Sequence, residues 1–220
     1  MLVRPRTDDD LPALAEVLRC VHAESGYPVQ GIDDPIKFLS EESLVKAWVL
    51  ITPDDQPVGQ CVVSEIHQRD ERLLKWEQYL WKSSDPGGSA GEVTKSKYLA
   101  LGRLFVDPLV HGKGGGEKLV QQAVDWAGGV LMRRLVLNVL LKDSAAIALY
   151  RKLGWTEYGE GTLTNAQGEK YKQVYFIGPH PRRISSAASQ TVAMATNGSD
   201  HWDEIEKVRS AIKKNPSGKV

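Results

Sequence analysis

The spacing of apolar positions changes several times along the chain, and each change predicts an element. Leu11, Leu14, Val17, Leu18 and Val21 recur at intervals of three and four behind the polar start Thr7-Asp8-Asp9-Asp10, which predicts a capped amphipathic helix. Residues 23–35 carry Gly, Pro and Asp and predict a loop, with a short helix near Ile36-Lys37-Phe38-Leu39. Ala47–Thr52 and Val58–Ile66 predict two strands joined by the turn Pro53-Asp54-Asp55-Gln56-Pro57. Tyr98–Val106 predicts a further strand, and Lys118–Ala127 a helix whose Leu119, Val120, Ala123, Val124 and Ala127 face a sheet. Arg134–Val139 alternates as a strand, and Trp155–Gly159 with Tyr171–Gly178 predicts a hairpin around Asn165-Ala166-Gln167-Gly168. Strands alternating with helices at this spacing predict a mixed α/β sandwich.

Two segments stand outside that alternation. In residues 67–95, Leu73, Trp76, Tyr79 and Leu80 predict a helical stripe followed by a Ser/Gly/Pro stretch. One reading is a helix covering exposed core, and the other is a lid beside an acceptor pocket. From about Pro179 the chain is rich in Ser, Ala and Thr, which predicts disorder to Gly198. Trp202, Ile205, Val208 and Ile212 then make a short apolar stripe. The expected organisation is one domain over 1–178, with the insertion 67–95, and an extension over 179–220.

Composition narrows the function. With 220 residues and 41% hydrophobic content, the chain can bury one good-sized core. Lys plus Arg and Asp plus Glu both number 28, so no global field draws in nucleic acid or an anionic membrane. Cys20 and Cys61 sit far apart in apolar settings and are expected to be reduced core residues. Without an N-terminal signal pattern or a long apolar run, the expectation is a soluble cytoplasmic protein, monomeric or homodimeric. The five histidines lack paired ligand spacing, so no metal is expected.

The chemistry concentrates after the strand Tyr98–Val106. Asp107-Pro108-Leu109-Val110 turns into His111-Gly112-Lys113-Gly114-Gly115-Gly116, which opens directly into a helix. Bare amides at the positive end of a helix dipole suit a phosphorylated ligand, and glycine allows it to approach without meeting a Cβ. A kinase-type loop needs Lys then Ser or Thr after the last glycine, and a dinucleotide fingerprint needs glycine at 117. Glu117 defeats both. What remains is a pyrophosphate cradle of backbone amides, His111-x-x-Gly114-x-Gly116. It resembles the coenzyme A loop of the GNAT superfamily of N-acetyltransferases, with His111 where that family most often has Arg or Gln.

The segment Asp143-Ser144-Ala145-Ala146-Ile147-Ala148-Leu149-Tyr150-Arg151-Lys152-Leu153-Gly154-Trp155 is similar to the family's second signature, Asn-x-x-Ala-Ile-x-Leu-Tyr-x-x-Leu-Gly-Phe. Ala146, Ile147, Leu149, Tyr150, Leu153 and Gly154 match in register, while Asp143 replaces Asn and Trp155 replaces Phe. Asp143 suits a helix N-cap. Leu2–Arg6 and the helix after it also look like the family's opening strand and capped helix. The resemblance covers about residues 1–178. It implies an α/β (α+β) GNAT fold: a mixed central sheet of about six to seven strands, flanked by helices, whose two central strands splay apart.

By that resemblance, acetyl-CoA is the cosubstrate and a small-molecule primary amine the acceptor, with no metal. His111, Gly112, Lys113, Gly114, Gly115 and Gly116 would hold the pyrophosphate, with Asp143 and Ala146 also at the cofactor. Backbone amides near Leu104, Phe105 and Val106 would polarise the thioester carbonyl. Tyr150 would protonate the departing thiolate, the alternative being an aromatic that fills the helix–sheet seam. Glu65 is the first candidate for general base. Glu24, in the loop after the first helix, is the second, and Glu24 and Tyr27 are also placed at the acceptor. A non-catalytic acyl-CoA-binding sensor of the same fold is the rival function. Gly87-Gly88-Ser89-Ala90-Gly91 fits the Gly-x-Ser-x-Gly hydrolase elbow, but it lacks the preceding apolar strand and the following helix, so a loop is expected there.

Overall fold

A computed structural model describes residues 1–40, 42–83 and 93–180. The Ser89 motif and the C-terminal stripe lie outside these described residues. The elements are β1 (Leu2–Pro5), α1 (Leu11–Ser25), α2 (Pro35–Leu39), β2 (Leu44–Ile51), β3 (Pro57–Ser64), α3 (Glu71–Ser83), β4 (Tyr98–Val106), α4 (Gly115–Val130), β5 (Arg134–Leu140), α5 (Ser144–Lys152), β6 (Thr156–Thr164) and β7 (Lys170–Ile177). The strands form one sheet of seven in the order β1-β2-β3-β4-β5-β7-β6. Neighbours run antiparallel except β4 and β5.

Alternation along the strands divides the core between the two faces. Trp48, Leu50, Cys61, Val63, Leu99, Leu101, Leu135, Leu137, Val174 and Phe176 face α4 and α5, where Leu119, Val120, Ala123, Ala127, Ile147 and Tyr150 cover them. The opposite face is shared. Over β2 and β4, Val49, Ile51 and Phe105 pack beneath the α1 stripe of Leu14, Val17, Leu18 and Val21 and beneath Leu39 of α2. Over β5 and β7, Val136, Tyr175 and Ile177 pack with Leu73 and Trp76 of α3. The insertion therefore covers sheet surface, and Trp76 donates a hydrogen bond to the Tyr98 hydroxyl at 3.0 Å.

Two expectations need correction. Cys20 is exposed, on the outer face of α1, and only Cys61 is a core residue. Asp143 stands at the N-cap of α5, but its side chain makes no capping hydrogen bond. Its Oδ1 accepts instead from Lys142 Nζ at 2.9 Å. Among the described residues, no helix is long and apolar enough to cross a membrane.

The break that positions the site lies between β4 and β5. Their ladder spans only Tyr98–Ala100 against Arg134–Val136. Beyond it, the rest of β4 pairs with β3 alone and the rest of β5 with β7 alone, so the two strands diverge. On its other edge β4 is bulged: Gln60 pairs with Phe105 and Val62 with Gly102, which leaves Arg103 and Leu104 opposite Cys61. Arg103 takes φ 47, a left-handed conformation uncommon for a side-chain-bearing residue.

Candidate active site

Past its diverging end, β4 runs into the glycine loop. The Asp107 amide donates to the Val58 carbonyl at 2.7 Å, and the Asp107 carboxylate accepts from the Leu109 amide at 2.9 Å, which pins the turn. His111 folds back so that Nε2 lies 2.8 Å from the Val106 carbonyl. Its side chain thus braces the loop rather than reaching outward. Gly112 (φ 74) and Gly114 (φ 78) are left-handed, and a Cβ at either would meet nothing within 4 Å. Both glycines serve backbone shape beside open space.

Gly115 differs. A Cβ there would lie 2.4 Å from Leu50 Cδ2, so this glycine lets the first turn of α4 close onto β2. A Cβ at Gly116 would lie 3.4 Å from Leu149 Cδ2 of α5. No amide from Gly112 to Glu117 donates a hydrogen bond among the described residues, and α4 has no side-chain cap. These are the orphan donors of a helix N-terminus, left open to an anion. The Glu117 carboxylate, a like charge to any phosphate here, is held by Lys152 Nζ at 2.6 Å. Lys113 is exposed in the loop.

Tyr150 lies at the end of α5, 5% exposed, its ring tilted on Trp155 at 5.3 Å and Phe176 at 5.8 Å. Its hydroxyl makes no hydrogen bond among the described residues, yet it is not among the polar atoms sealed from solvent without a partner. The hydroxyl end therefore meets an accessible space. Tyr27, half-buried in the loop between α1 and α2 and edge-on to Phe38 at 6.2 Å, is in the same condition. Burial raises the pKa of both phenols, and for Tyr150 the next contributors are Tyr27 and then Cys61. For Tyr27, after burial, Arg103 opposes the rise and Asp143 adds to it. Tyr27, Tyr150, Arg103 and Asp143 thus share one electrostatic neighbourhood, reached from α1–α2 on one face and from α5 on the other.

Lys142 ties this neighbourhood together, since Nζ donates both to Asp143 and, at 2.8 Å, to the Ser25 carbonyl. Ser25 Oγ in turn accepts from the Tyr27 amide at 3.2 Å. The amide of Ala146 is spent at the start of α5, on the Asp143 carbonyl at 3.0 Å, and is not a free donor for a ligand. From the far hairpin, Asn165 Nδ2 reaches the Val29 carbonyl at 3.3 Å and closes β6–β7 against the Tyr27 loop.

Glu65 is not brought to this place. It follows β3, whose last pair sets Ser64 against Ala100, where β4 and β5 are still bonded. Both Glu65 oxygens accept from Arg133 at 2.8 Å, and that hydrogen bond holds the carboxyl below its usual range against a weaker opposing effect of burial. A carboxylate held ionised at the closed end of the sheet cannot serve as base at the open end, and the assignment to Glu65 is withdrawn. Glu24 is exposed on the last turn of α1. Sequence reasoning missed Arg103 and Phe38, whose ring stacks 4.8 Å from the Arg103 guanidinium. The signal for Arg103 was present: it is the one charged residue in the apolar run Tyr98–Val106.

The model of the Acetyltransferase (GNAT) family matches residues 14–155. Among curated proteins, the chain is 26% identical over 142 residues to the peptidyl-lysine N-acetyltransferase YjaB of Salmonella typhimurium, covering 64% of this chain and 69% of that protein. Among solved structures, Arabidopsis thaliana NAA60 in complex with acetyl-CoA superposes with a TM-score of 0.58 at 15% identity, covering 80% of this chain and 97% of that one. The ribosomal-protein-S18-alanine N-acetyltransferase of Escherichia coli superposes with a TM-score of 0.56 at 16% identity, covering 84% and 97%. At these identities the structural likeness speaks for the fold.

Proposed function

The chain belongs to the GNAT family of acetyltransferases, and from that premise we propose that it transfers the acetyl group of acetyl-CoA to a small-molecule primary amine. The transfer is a direct attack of nitrogen on the thioester, without an acyl-enzyme. The observation that carries this reading is the unbonded amide run Gly112–Glu117, in the loop that follows β4 beyond the point where β4 and β5 part. Gly112 to Gly116 fit a pyrophosphate because their amides lack partners and two of the glycines hold left-handed angles beside open space.

In the reaction a C–N bond forms, the C–S bond breaks, and one proton passes from nitrogen to sulfur. Donors aimed at the developing oxyanion are worth about 3–4 kcal/mol, and the bulge at Arg103–Leu104 departs from the β3 ladder where such donors are needed. Tyr150 supplies a hydroxyl to the sulfur. Because burial makes that phenol hold its proton tightly, it parts with it only as the attacking nitrogen loses its own.

Two assays test the reading: calorimetric titration with CoA, and thiol release from acetyl-CoA across a panel of primary amines. The expected result is CoA binding together with amine-dependent thiol release. CoA binding with no turnover on any amine would leave an acyl-CoA sensor in its place, and no CoA binding would remove both.

A further inference from the structure

Asn138 of β5 stands past the last residue that pairs with β4, where the two strands diverge. Its neighbour Leu137 is buried beneath α4 and α5, and Val136 is buried on the opposite face with α3. Alternation turns Asn138 to the Val136 side, away from the glycine loop and α4. Unlike those neighbours, Asn138 is exposed. Carrying the Ala100–Val136 register on by two residues would set Gly102 against Asn138, but the strands have parted. A Cβ at Gly102 would meet nothing within 4 Å. Asn138 is therefore open to a ligand, across from a residue that has no side chain.

A chain of hydrogen bonds decides how Asn138 presents its amide. Asn138 Nδ2 donates to Gln173 Oε1 at 2.8 Å, and Gln173 Nε2 donates to the Tyr175 hydroxyl at 2.7 Å. Tyr175 is hydrogen-bonded in turn to Glu71, in the first turn of α3. Burial first, and then that bond, lift the phenol above its ordinary value. A Cβ at Gly161 of β6 would fall 2.4 Å from the Tyr175 oxygen and 2.9 Å from Glu71 Oε1, so β6 leaves room for the pair. The direction of the chain follows from its end. A carboxylate only accepts, so Tyr175 donates to Glu71 and its oxygen is left to accept from Gln173. Gln173 must then turn Oε1 toward Asn138, which answers with Nδ2. The two middle members are buried, so water does not compete for these bonds. Asn138 Oδ1 remains, without a partner among the described residues and not sealed from solvent.

We propose that Asn138 Oδ1 receives an N–H of the acceptor amine, and that Glu71, acting through Tyr175 and Gln173, is the positioning residue that keeps it aimed there. This rests on the acetyl-transfer reading for the ligand being an amine. An amide of this kind takes up no proton, so Asn138 orients the amine and does not deprotonate it. The insertion helix then does more than cover sheet surface, since its first turn sets the polarity of an atom two strands away.

The probes are n-butylamine, 1,4-diaminobutane, benzylamine and glycinamide. Binding is measured calorimetrically to the full chain saturated with CoA, and turnover as thiol release from acetyl-CoA. At least one probe is expected to bind. Asn138→Leu, at an exposed position, should weaken that binding about tenfold, the worth of one hydrogen bond. KM for the amine should rise alongside, with KM for acetyl-CoA within twofold. Asn138→Asp, which keeps an acceptor oxygen, should bind within threefold of wild type. Glu71→Leu should weaken amine binding threefold or more on its own and add nothing in the Asn138→Leu background. Amine binding within twofold of wild type in Asn138→Leu, or equal losses in Asn138→Leu and Asn138→Asp, overturns the contact even if thiol release is intact. Equal effects of Glu71→Leu in both backgrounds overturn the positioning role, and failure of all four probes to bind overturns the whole proposal. Asn138-dependent binding without any thiol release keeps the contact and overturns acetyl transfer instead.

Discussion

Replacing Tyr150 by Phe separates packing from chemistry at one atom. The ring contacts with Trp155 at 5.3 Å and Phe176 at 5.8 Å survive the change. The lost hydroxyl has no hydrogen-bond partner among the described residues, so its removal strands nothing. Stability should move by no more than about 0.5 kcal/mol, or about 1–2 °C for a chain of this size. Tyr150→Ala, by contrast, would open a cavity in the main core and cost about 3–5 kcal/mol. A proton donor positioned at the leaving group contributes about 10²–10⁴ in rate, equivalent to about 3–5 kcal/mol at the transition state. Tyr150→Phe is therefore expected to lower kcat at least a hundredfold, with KM for acetyl-CoA and the melting temperature near wild type.

The assay is steady-state thiol release, with thermal unfolding measured on the same preparation. A kcat within threefold of wild type would make Tyr150 a seam-filling aromatic and refute the reasoning. The pH profile adds a second reading. Burial lifts the phenol above its ordinary value of about 10, so the protonated donor persists through that pH and no alkaline fall near 10 should arise from it. The linkage has the same sign: stability held below the unfolded phenol's pKa is lost as pH rises through the higher folded value. An alkaline limb below pH 10 that vanishes in Tyr150→Phe would contradict the buried, tightly held proton.

Gly114→Ala forces a side chain into a φ of 78 at about 1–2 kcal/mol of strain and sets a methyl beside the open amides. It should weaken CoA binding at least tenfold by calorimetry, and unchanged affinity would contradict the amide cradle. Glu65→Gln should leave kcat within twofold, because Glu65 lies at the closed end of the sheet. Its half-exposed pair with Arg133 is worth about 1 kcal/mol or less in thermal unfolding. Asp10→Asn should cost about 1.5–3 kcal/mol at neutral pH. Burial favours the neutral acid there, but hydrogen bonds from Arg4 and Thr7 outweigh it and hold the pKa below the usual range. That stability is present above the unfolded value of about 3.9 and lost as pH falls through the lower folded one, so the variant's acid unfolding limb should be flatter.

Patterning revealed the elements because each strand and helix buries a face whose period the sequence must keep. The stripe of α1 and the five positions predicted for α4 are examples, and Val124 alone of those five is only half-buried. The glycine loop was readable for a related reason: a phosphate cradle of main-chain donors demands residues without side chains. Glu65 failed because nearness along a strand was weighed without its direction. In an antiparallel β3–β4 pair, the end of β3 meets the start of β4, so Gly59, Gln60 and Cys61 flank the opening and Glu65 does not. That inference was available from the two strands alone.

Withdrawing Glu65 removes the one strand-borne carboxylate proposed as base, and the physical setting explains why none need replace it. An amine reaches the enzyme in water as an ammonium ion, and that charged form is disfavoured wherever burial removes solvent. The surroundings of Tyr27 and Tyr150 are such a place, because burial is the leading reason both phenols are lifted above their ordinary pKa values. The same desolvation that raises an acid forming an anion lowers an acid forming a neutral base, so the bound amine loses its proton more readily than in water. The acid limb of kcat should then lie below the solution pKa of whichever amine is turned over, and it should track that amine across a homologous series. A limb fixed at one pH for amines of different basicity would instead report a titrating protein base, and the desolvation account would fail.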